Sequence, residues 1–119
     1  MPFDFILNYL PRKLIIQPAI GMFYIYFDKK IVLIARQTAK NKQHNGLWIA
    51  TNREYHAGLK EEIPAITDFV FDEDKTIDSA WLLLSEGHDD FENAAGAVCE
   101  LISNRDKRIG RVTKKSELM

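Results

Sequence analysis

Residues 21–37, GMFYIYFDKKIVLIARQ, constrain the fold most, because they predict two apolar arms joined by a short polar turn. Aromatic and β-branched residues fill the arms Met22–Phe27 and Ile31–Ala35, and such residues suit a pleated strand. Asp28 is a good turn former. This stretch therefore predicts an antiparallel β-hairpin.

Both faces of this predicted hairpin are apolar. Successive side chains of a strand point to opposite faces. In the first arm the alternation places Phe23, Ile25 and Phe27 on one face and Met22, Tyr24 and Tyr26 on the other. In the second arm it places Ile31, Leu33 and Ala35 opposite Val32 and Ile34. A sheet with one wet face would alternate apolar and polar residues, so either helices cover both faces or one face binds a partner.

The rest of the chain predicts further strands and three helices. KLIIQP, LWIAT, DFVFDEDK and SAWLLLSE read as strands, and Pro18 marks an edge strand or a strand end. Apolar spacing predicts a short helix over Phe3–Leu10, a helix over 51–63 and a long helix over 88–106. We expect Thr51 with Glu54, and Asp89 with Glu92, to form capping boxes. The order α-β-β-β-(β)-α-β-β-α predicts an α+β fold, an antiparallel sheet with flanking helices.

Charge is unevenly distributed along the chain. Formal net charge is +6 over residues 1–60, −11 over 61–104 and +4 over 105–119. This pattern indicates a dipolar surface or a basic tail lying on an acidic face. We expect a single domain over residues 1–104, followed by a loose basic C-terminal tail over 105–119.

A family resemblance covers most of the chain. RKLIIQPAIGMFYIYFDKKIVLIARQ resembles the start of the TfoX N-terminal domain-like family, with Gly21, Tyr26 and Asp28 at the places of its glycine turn, strand tyrosine and Asp/Gly turn. NGLWIAT, DDFENAAGAVCELI and DKRIG also resemble small bacterial proteins of that type. The resemblance implies a layout like the secretion-chaperone fold. PAIGMF departs from the family where a second glycine usually precedes the strand.

No residue pattern predicts an enzyme, a metal site or a cofactor. The single Cys99 excludes an internal disulfide and a paired-cysteine zinc site, and it falls on the apolar stripe of the last helix. His44, His56 and His88 lie far apart, and we expect His56 on the open side of its helix. The acidic run FDEDKTID lacks the glycine and terminal glutamate of a calcium loop, so Asp72, Glu73, Asp74 and Asp78 read as a solvated turn.

The loop 36–46 is the best candidate for ligand binding. Its basic and polar residues are followed by an aromatic one, a combination that grips phosphates and stacks on bases. The candidate residues are Arg36, Lys40, Lys42, His44, Asn45 and Trp48, with Arg53 a little further on. A slightly acidic chain is unlike most nucleic-acid binders, so a nucleic-acid-associated regulatory domain is the alternative hypothesis.

The leading hypothesis is a non-enzymatic module, regulatory or adaptor-like, that works through protein–protein contact as a homodimer. Met22, Tyr24 and Tyr26 carry it, because methionine and tyrosine are enriched at partner surfaces. No apolar run approaches the ~20 residues that cross a bilayer. The start of the chain also lacks a basic leader and a small-residue cleavage site. We therefore expect a cytoplasmic protein that does not bind membranes.

Overall fold

A computed structural model describes residues 1–70 and 77–119 and shows an α+β fold built on one six-stranded antiparallel sheet. The strands are β1 (Ile15–Ala19), β2 (Met22–Phe27), β3 (Lys30–Arg36), β4 (Gly46–Ala50), β5 (Thr67–Val70) and β6 (Ile77–Ser85). The helices are α1 (His56–Glu62), α2 (Phe91–Ser103) and α3 (Lys114–Glu117), with 3-10 turns at Asp4–Asn8, Lys42–His44 and Arg53–Tyr55. The spatial strand order is β1-β2-β3-β4-β6-β5, which confirms the α+β class and the antiparallel sheet.

Tight turns join the first three strands. Ile20 and Gly21 connect β1 to β2, and Gly21 has a φ of +70°, where a side chain would also collide with Thr38. Asp28 and Lys29 connect β2 to β3, and both have positive φ, as a type I′ hairpin turn requires. Strand β1, with Pro18 inside it, is an edge strand as its proline predicts.

The predicted faces of β3 are wrong near the turn. Ile25 pairs with Leu33, but Tyr26 pairs with Ile31, so Val32 is an extra residue at a β-bulge. The bulge turns Val32 to the same core cluster as Leu33, while Ile31 joins the opposite cluster. Simple alternation fails there because one residue of β3 has no counterpart on β2.

Helices cover one face of the sheet, which we call the helix face. The predicted stripe of α2 is confirmed as buried: Phe91, Ala94, Ala95, Val98, Cys99 and Ile102. Leu59 and Ile63 bring the α1 region into the same cluster as Leu33, Leu47 and Leu84. The N-terminal segment adds Ile6 from its 3-10 turn and Leu10 just after it. Apolar spacing places Leu7 on the same stripe, but Leu7 is 44% exposed, so the prediction is wrong at that residue.

The C-terminal segment covers part of the opposite face, which we call the second face. Residues 105–119 were expected to be loose, but the amide of Gly110 donates to the carbonyl of Ala50 and Arg111 pairs with Ile31. Helix α3 follows, with Ser116 fully buried, and Met119 packs against the cluster of Tyr26 and Ile31. This segment is therefore part of the folded domain.

Neither predicted capping box forms. The hydroxyl of Thr51 donates instead to the carbonyl of Arg108 at 2.7 Å, and Asn52 precedes the 3-10 turn without a side-chain cap. Helix α2 begins after Asp90, whose amide donates to Nδ1 of His88 at 3.0 Å. The capping box observed joins Thr113 and Ser116 at the start of α3.

No helix in the described part of the chain has the length and apolarity to cross a membrane. The predicted acidic turn lies largely outside the described residues; of its acids, only Asp78 is described, and its carboxylate accepts from the amide of Ala80 at 2.7 Å.

Candidate functional site

The second face carries one row of side chains across all six strands. Strand register aligns Gln17, Tyr24, Ile34, Trp48, Leu83 and Thr67 from edge to edge. Met22 and Tyr26 flank Tyr24 along β2, and Trp81 lies opposite Ala50 on β6. The sheet therefore brings the predicted residues of the first hairpin together with Trp48.

Coverage of the second face is incomplete. Tyr26, Ile31, Ile34 and Ala50 are buried, while Met22, Tyr24, Trp48 and Trp81 are half-buried around them. Tyr26 is only 4% exposed, so it is covered within its own chain and cannot contact a partner in this conformation. Burial and the neighbouring Tyr24 raise the pKa of Tyr26, so its phenol stays protonated. The accessible part of the face is its aromatic remainder.

An aromatic cluster holds the centre of this face. The ring of Trp48 meets the ring of Phe69 edge-on at 4.5 Å and that of Trp81 at 6.1 Å. His44 stacks on Phe69 with centroids 4.9 Å apart, and the indole nitrogen of Trp48 donates to the carbonyl of His44 at 2.8 Å. Aromatic pairs at these separations interact favourably beyond their buried area.

Sequence reasoning missed Phe69 and Trp81 as members of this surface. In SAWLLLSE, strand alternation already separates Trp81 and Leu83 from Leu82 and Leu84. Both tryptophans of the chain then fall on one face once β6 is paired with β4. The alternation can be seen in the sequence, whereas the strand order that brings the two tryptophans together cannot.

The basic loop 36–46 is organised by its own polar groups. The Arg36 guanidinium donates to the carbonyls of Asn41 and Lys40 at 2.9 and 3.0 Å and to the side-chain oxygen of Asn45 at 2.9 Å. Asn45 is 2% exposed and also bonds both backbone groups of Thr38. Arg36 and Asn45 therefore hold the loop in shape.

The remaining predicted residues are divided between two places. Lys40 and Lys42 are exposed on the loop, next to the aromatic cluster through His44. Arg53 is exposed in the 3-10 turn before α1, where its charge acts on His56. The structure thus keeps both lysines on the loop that contains His44 and places Arg53 next to α1.

His56 is buried, so the expectation that it faces solvent is wrong. It is 6% exposed, and its Nε2 has no hydrogen-bond partner among the described residues. Burial lowers the pKa of the imidazole, and the charges of Lys60 and Arg53 lower it further against the opposing effects of the Ser79 backbone and Asp68. His56 is therefore a neutral side chain at neutral pH.

Other titratable groups serve structure. Burial raises the pKa of the Cys99 thiol to about 12, which leaves no thiolate nucleophile near neutral pH. Arg108 donates to Asp106 at 2.8 and 2.9 Å and to Glu62 at 2.9 Å, which lowers the pKa of the Asp106 carboxyl and ties the segment after α2 to α1. Among the described residues no three His, Cys, Asp or Glu side chains converge on a metal position.

These features define a class: a small α+β protein with an antiparallel sheet, one sealed face and one partly open aromatic face. Comparison of the chain with family models, with curated proteins and with solved structures finds no match. The function of this chain is therefore inferred from the geometry of its sheet.

Proposed function

We propose that this protein is a non-enzymatic module that acts by protein–protein contact, and that its second face pairs with the same face of a second copy. The supporting observation is the half-buried group Met22, Tyr24, Trp48 and Trp81 around a buried apolar centre. Aromatic residues and methionine are enriched at protein interfaces, with tryptophan and tyrosine prominent among binding hot spots.

The size of the sheet explains why a partner fits there. Six strands at about 4.8 Å spacing span roughly 24 Å, whereas the four-residue helix α3 is about 6 Å long. Such a helix covers only one end of the face. At the opposite end of the face Ile20, in the β1–β2 turn next to Met22, is fully exposed.

Face-to-face pairing is favoured over pairing at the β1 edge. Pro18 lacks the amide that a neighbouring strand would need, so β1 is a poor template for an added strand. A two-fold pair of identical faces is the commonest arrangement of homo-oligomers. The near-zero net charge of −1 over strongly charged segments also suits a self-complementary pair.

The test is the oligomeric state of the protein and of two matched variants. We expect sedimentation velocity to show a species of twice 13.7 kDa that dissociates on dilution. Tyr24→Glu places like charges across the two-fold axis and should yield monomers. Leu7→Glu is the control, because Leu7 is exposed on the other side of the sheet and its change should leave the dimer intact.

Two results would overturn this proposal. One is a strict monomer at high protein concentration. The other is a dimer that survives Tyr24→Glu with unchanged affinity, because that dimer would use another surface.

The nucleic-acid role is the second candidate, supported by exposed Lys40 and Lys42 on the loop whose His44 carbonyl accepts from the indole of half-buried Trp48. Arg36 is engaged within the loop, so two lysines carry the phosphate contacts of this candidate. Salt-dependent binding of single-stranded oligonucleotides, lost in Lys40→Ala with Lys42→Ala, would favour it. Absence of binding at any salt concentration would remove it.

We also propose that the chain is related to the TfoX N-terminal-like family and that it is located in the cytoplasm. Support for the former comes from the Gly21 turn, Tyr26 in β2 and Asp28 in the β2–β3 turn. Support for the latter comes from a buried free thiol in a chain with a single cysteine.

A further inference from the structure

A cavity of about 360 Å³ opens beside the β2–β3 turn, away from the aromatic cluster. Three of the side chains in its wall are cationic, Lys13, Lys29 and Arg105, and one is acidic, Asp28. Tyr26, Phe27 and Met119 contribute apolar surface. A volume in this range matches sites that hold small organic ligands.

Three charged residues of this wall have an unusual backbone conformation. Asp28, Lys29 and Arg105 have φ of 55°, 60° and 55°, and they are three of the five non-glycine residues with positive φ in the described ranges. A left-handed backbone costs a non-glycine residue about 1 kcal/mol or more. Such residues cluster at ligand sites, where the strain is retained for the side chain.

Glycine is the residue expected at two of these positions. Lys29 is the second central residue of a type I′ turn, where Asp-Gly is a preferred pair. Arg105 follows the C-cap of α2, and the bonds from Arg105 N to Ile102 O and from Asp106 N to Leu101 O make a Schellman motif, whose left-handed residue is usually glycine. At both places the chain has a cation that lines the same cavity.

The side chain of Arg105 can release its present ion-pair partner, Asp28, and bind an anion instead. Its guanidinium lies 5.3 Å from the centroid of the Phe27 ring, and its Nε is 3.6 Å from a carboxylate oxygen of Asp28. Both side chains of this ion pair are more than half exposed, at 68% and 58%. Exposed pairs of this kind contribute little stability, so an arriving anion can replace Asp28 as the partner of Arg105.

We propose that this cavity binds a small organic anion, a carboxylate or phosphate monoester joined to an apolar group. The guanidinium of Arg105 matches either anion with two parallel hydrogen bonds, and Lys13 and Lys29 add point charges. The apolar wall of Phe27 and Met119 receives the rest of the ligand. This site is separate from the proposed dimer contact and stands or falls independently of it.

The test titrates the full chain with phenyl phosphate and phenylacetate and follows amide chemical shifts by NMR. We expect saturable shifts at residues 28, 29 and 105, weaker binding of inorganic phosphate, and no such shifts with benzyl alcohol. Binding of either organic anion supports the proposal and identifies the preferred head group. If neither organic anion binds, the proposal is overturned. If inorganic phosphate binds with equal affinity, the proposed contact between the apolar wall and the ligand is overturned.

Glycine variants separate ligand binding from folding. Lys29→Gly and Arg105→Gly keep the left-handed backbone, so each should raise the thermal midpoint. Binding should weaken about tenfold in Lys29→Gly, from the loss of one charge-assisted hydrogen bond, and about a hundredfold in Arg105→Gly, from the loss of two. Lys107→Ala is the matched control, because Lys107 is an exposed cation two residues from Arg105 that lines a different cavity. Unchanged affinity in both glycine variants, or an equal loss in Lys107→Ala, would overturn the proposal.

Discussion

Both faces of the first hairpin are apolar in sequence, but the two faces of the sheet are covered by different means. The helix face packs aliphatic side chains under the 13-residue helix α2 and the N-terminal turn. The second face presents aromatic side chains and is covered at one end by the four-residue helix α3 and Met119. Apolar alternation thus shows that a face needs cover, but the amount of cover depends on distant parts of the chain. The face with too little cover is the one available for binding.

The largest loss of stability should appear at one of two neighbouring leucines of β6 that point to opposite faces. Leu84 is fully buried on the helix face and Leu83 is 8% exposed on the second face. We expect Leu84→Ala to lower the free energy of unfolding by about 3 kcal/mol and Leu83→Ala by about 1.5 kcal/mol, because a cavity relaxes more easily in the thinner layer. Urea denaturation at low protein concentration measures both.

Equal losses for the two leucine variants would contradict this account. They would show that the second face is packed as densely as the helix face. Both substitutions replace leucine with alanine at neighbouring positions of β6, so the change in strand propensity is the same and does not contribute to the difference.

The sequence predicted the strands and the stripe of α2 because their signals are local. Alternation within Met22–Phe27 and the spacing of Phe91 to Ile102 are properties of single segments. The bulge at Val32 was not predictable, since it depends on how β2 pairs with β3. The C-terminal segment was missed for a similar reason: its anchors are Ala50 and Ile31, far away in the chain.

The candidate site shows the same division. Met22, Tyr24 and Trp48 were identified from composition and alternation, and the structure places them on one face. The internal role of Arg36 was hidden, because a basic loop predicts free cations unless its hydrogen bonds are known. A buried asparagine such as Asn45 has no sequence signature that distinguishes it from a solvated one.

An intermediate effect should follow from removing the cover of the second face. A chain that stops after Gly110 loses the backbone pair between Arg111 and Ile31 and the packing of Met119. We expect the free energy of unfolding to fall by about 2 kcal/mol, from a lost capped turn and lost apolar burial. The amide of Ile31 donates to the carbonyl of Arg111 at 2.9 Å, so it should exchange its hydrogen with solvent faster in the truncated chain.

Thr113→Ala is the finer version of this truncation. It removes the hydroxyl that accepts from the amide of Ser116 at 3.0 Å and leaves Met119 in the chain. A loss of about 1 kcal/mol with little change in hydrogen exchange at the Ile31 amide is expected for a cap alone. Unchanged stability and unchanged exchange at the Ile31 amide in the truncated chain would mean that the segment contributes no cover.

The smallest effect concerns a single proton on the helix-covered side, at His56 of α1. Its pKa lies below the ordinary 6.5 in the folded protein because burial disfavours the charged imidazole. Between those two pKa values the unfolded chain binds more protons than the folded one. The contribution of His56 to stability should therefore be complete above pH 6.5, fall as the pH drops below that value, and level off below the folded pKa.

His56→Gln removes this titrating group. Urea denaturation between pH 8 and 5 should therefore show that the free energy of unfolding depends less on pH in the variant than in the natural sequence. The lowered carboxyl pKa of Asp106 acts only near and below pH 3.8, outside this window. Parallel curves for the two proteins would show that His56 is solvated in solution and that the cover over α1 is less complete than the structure indicates.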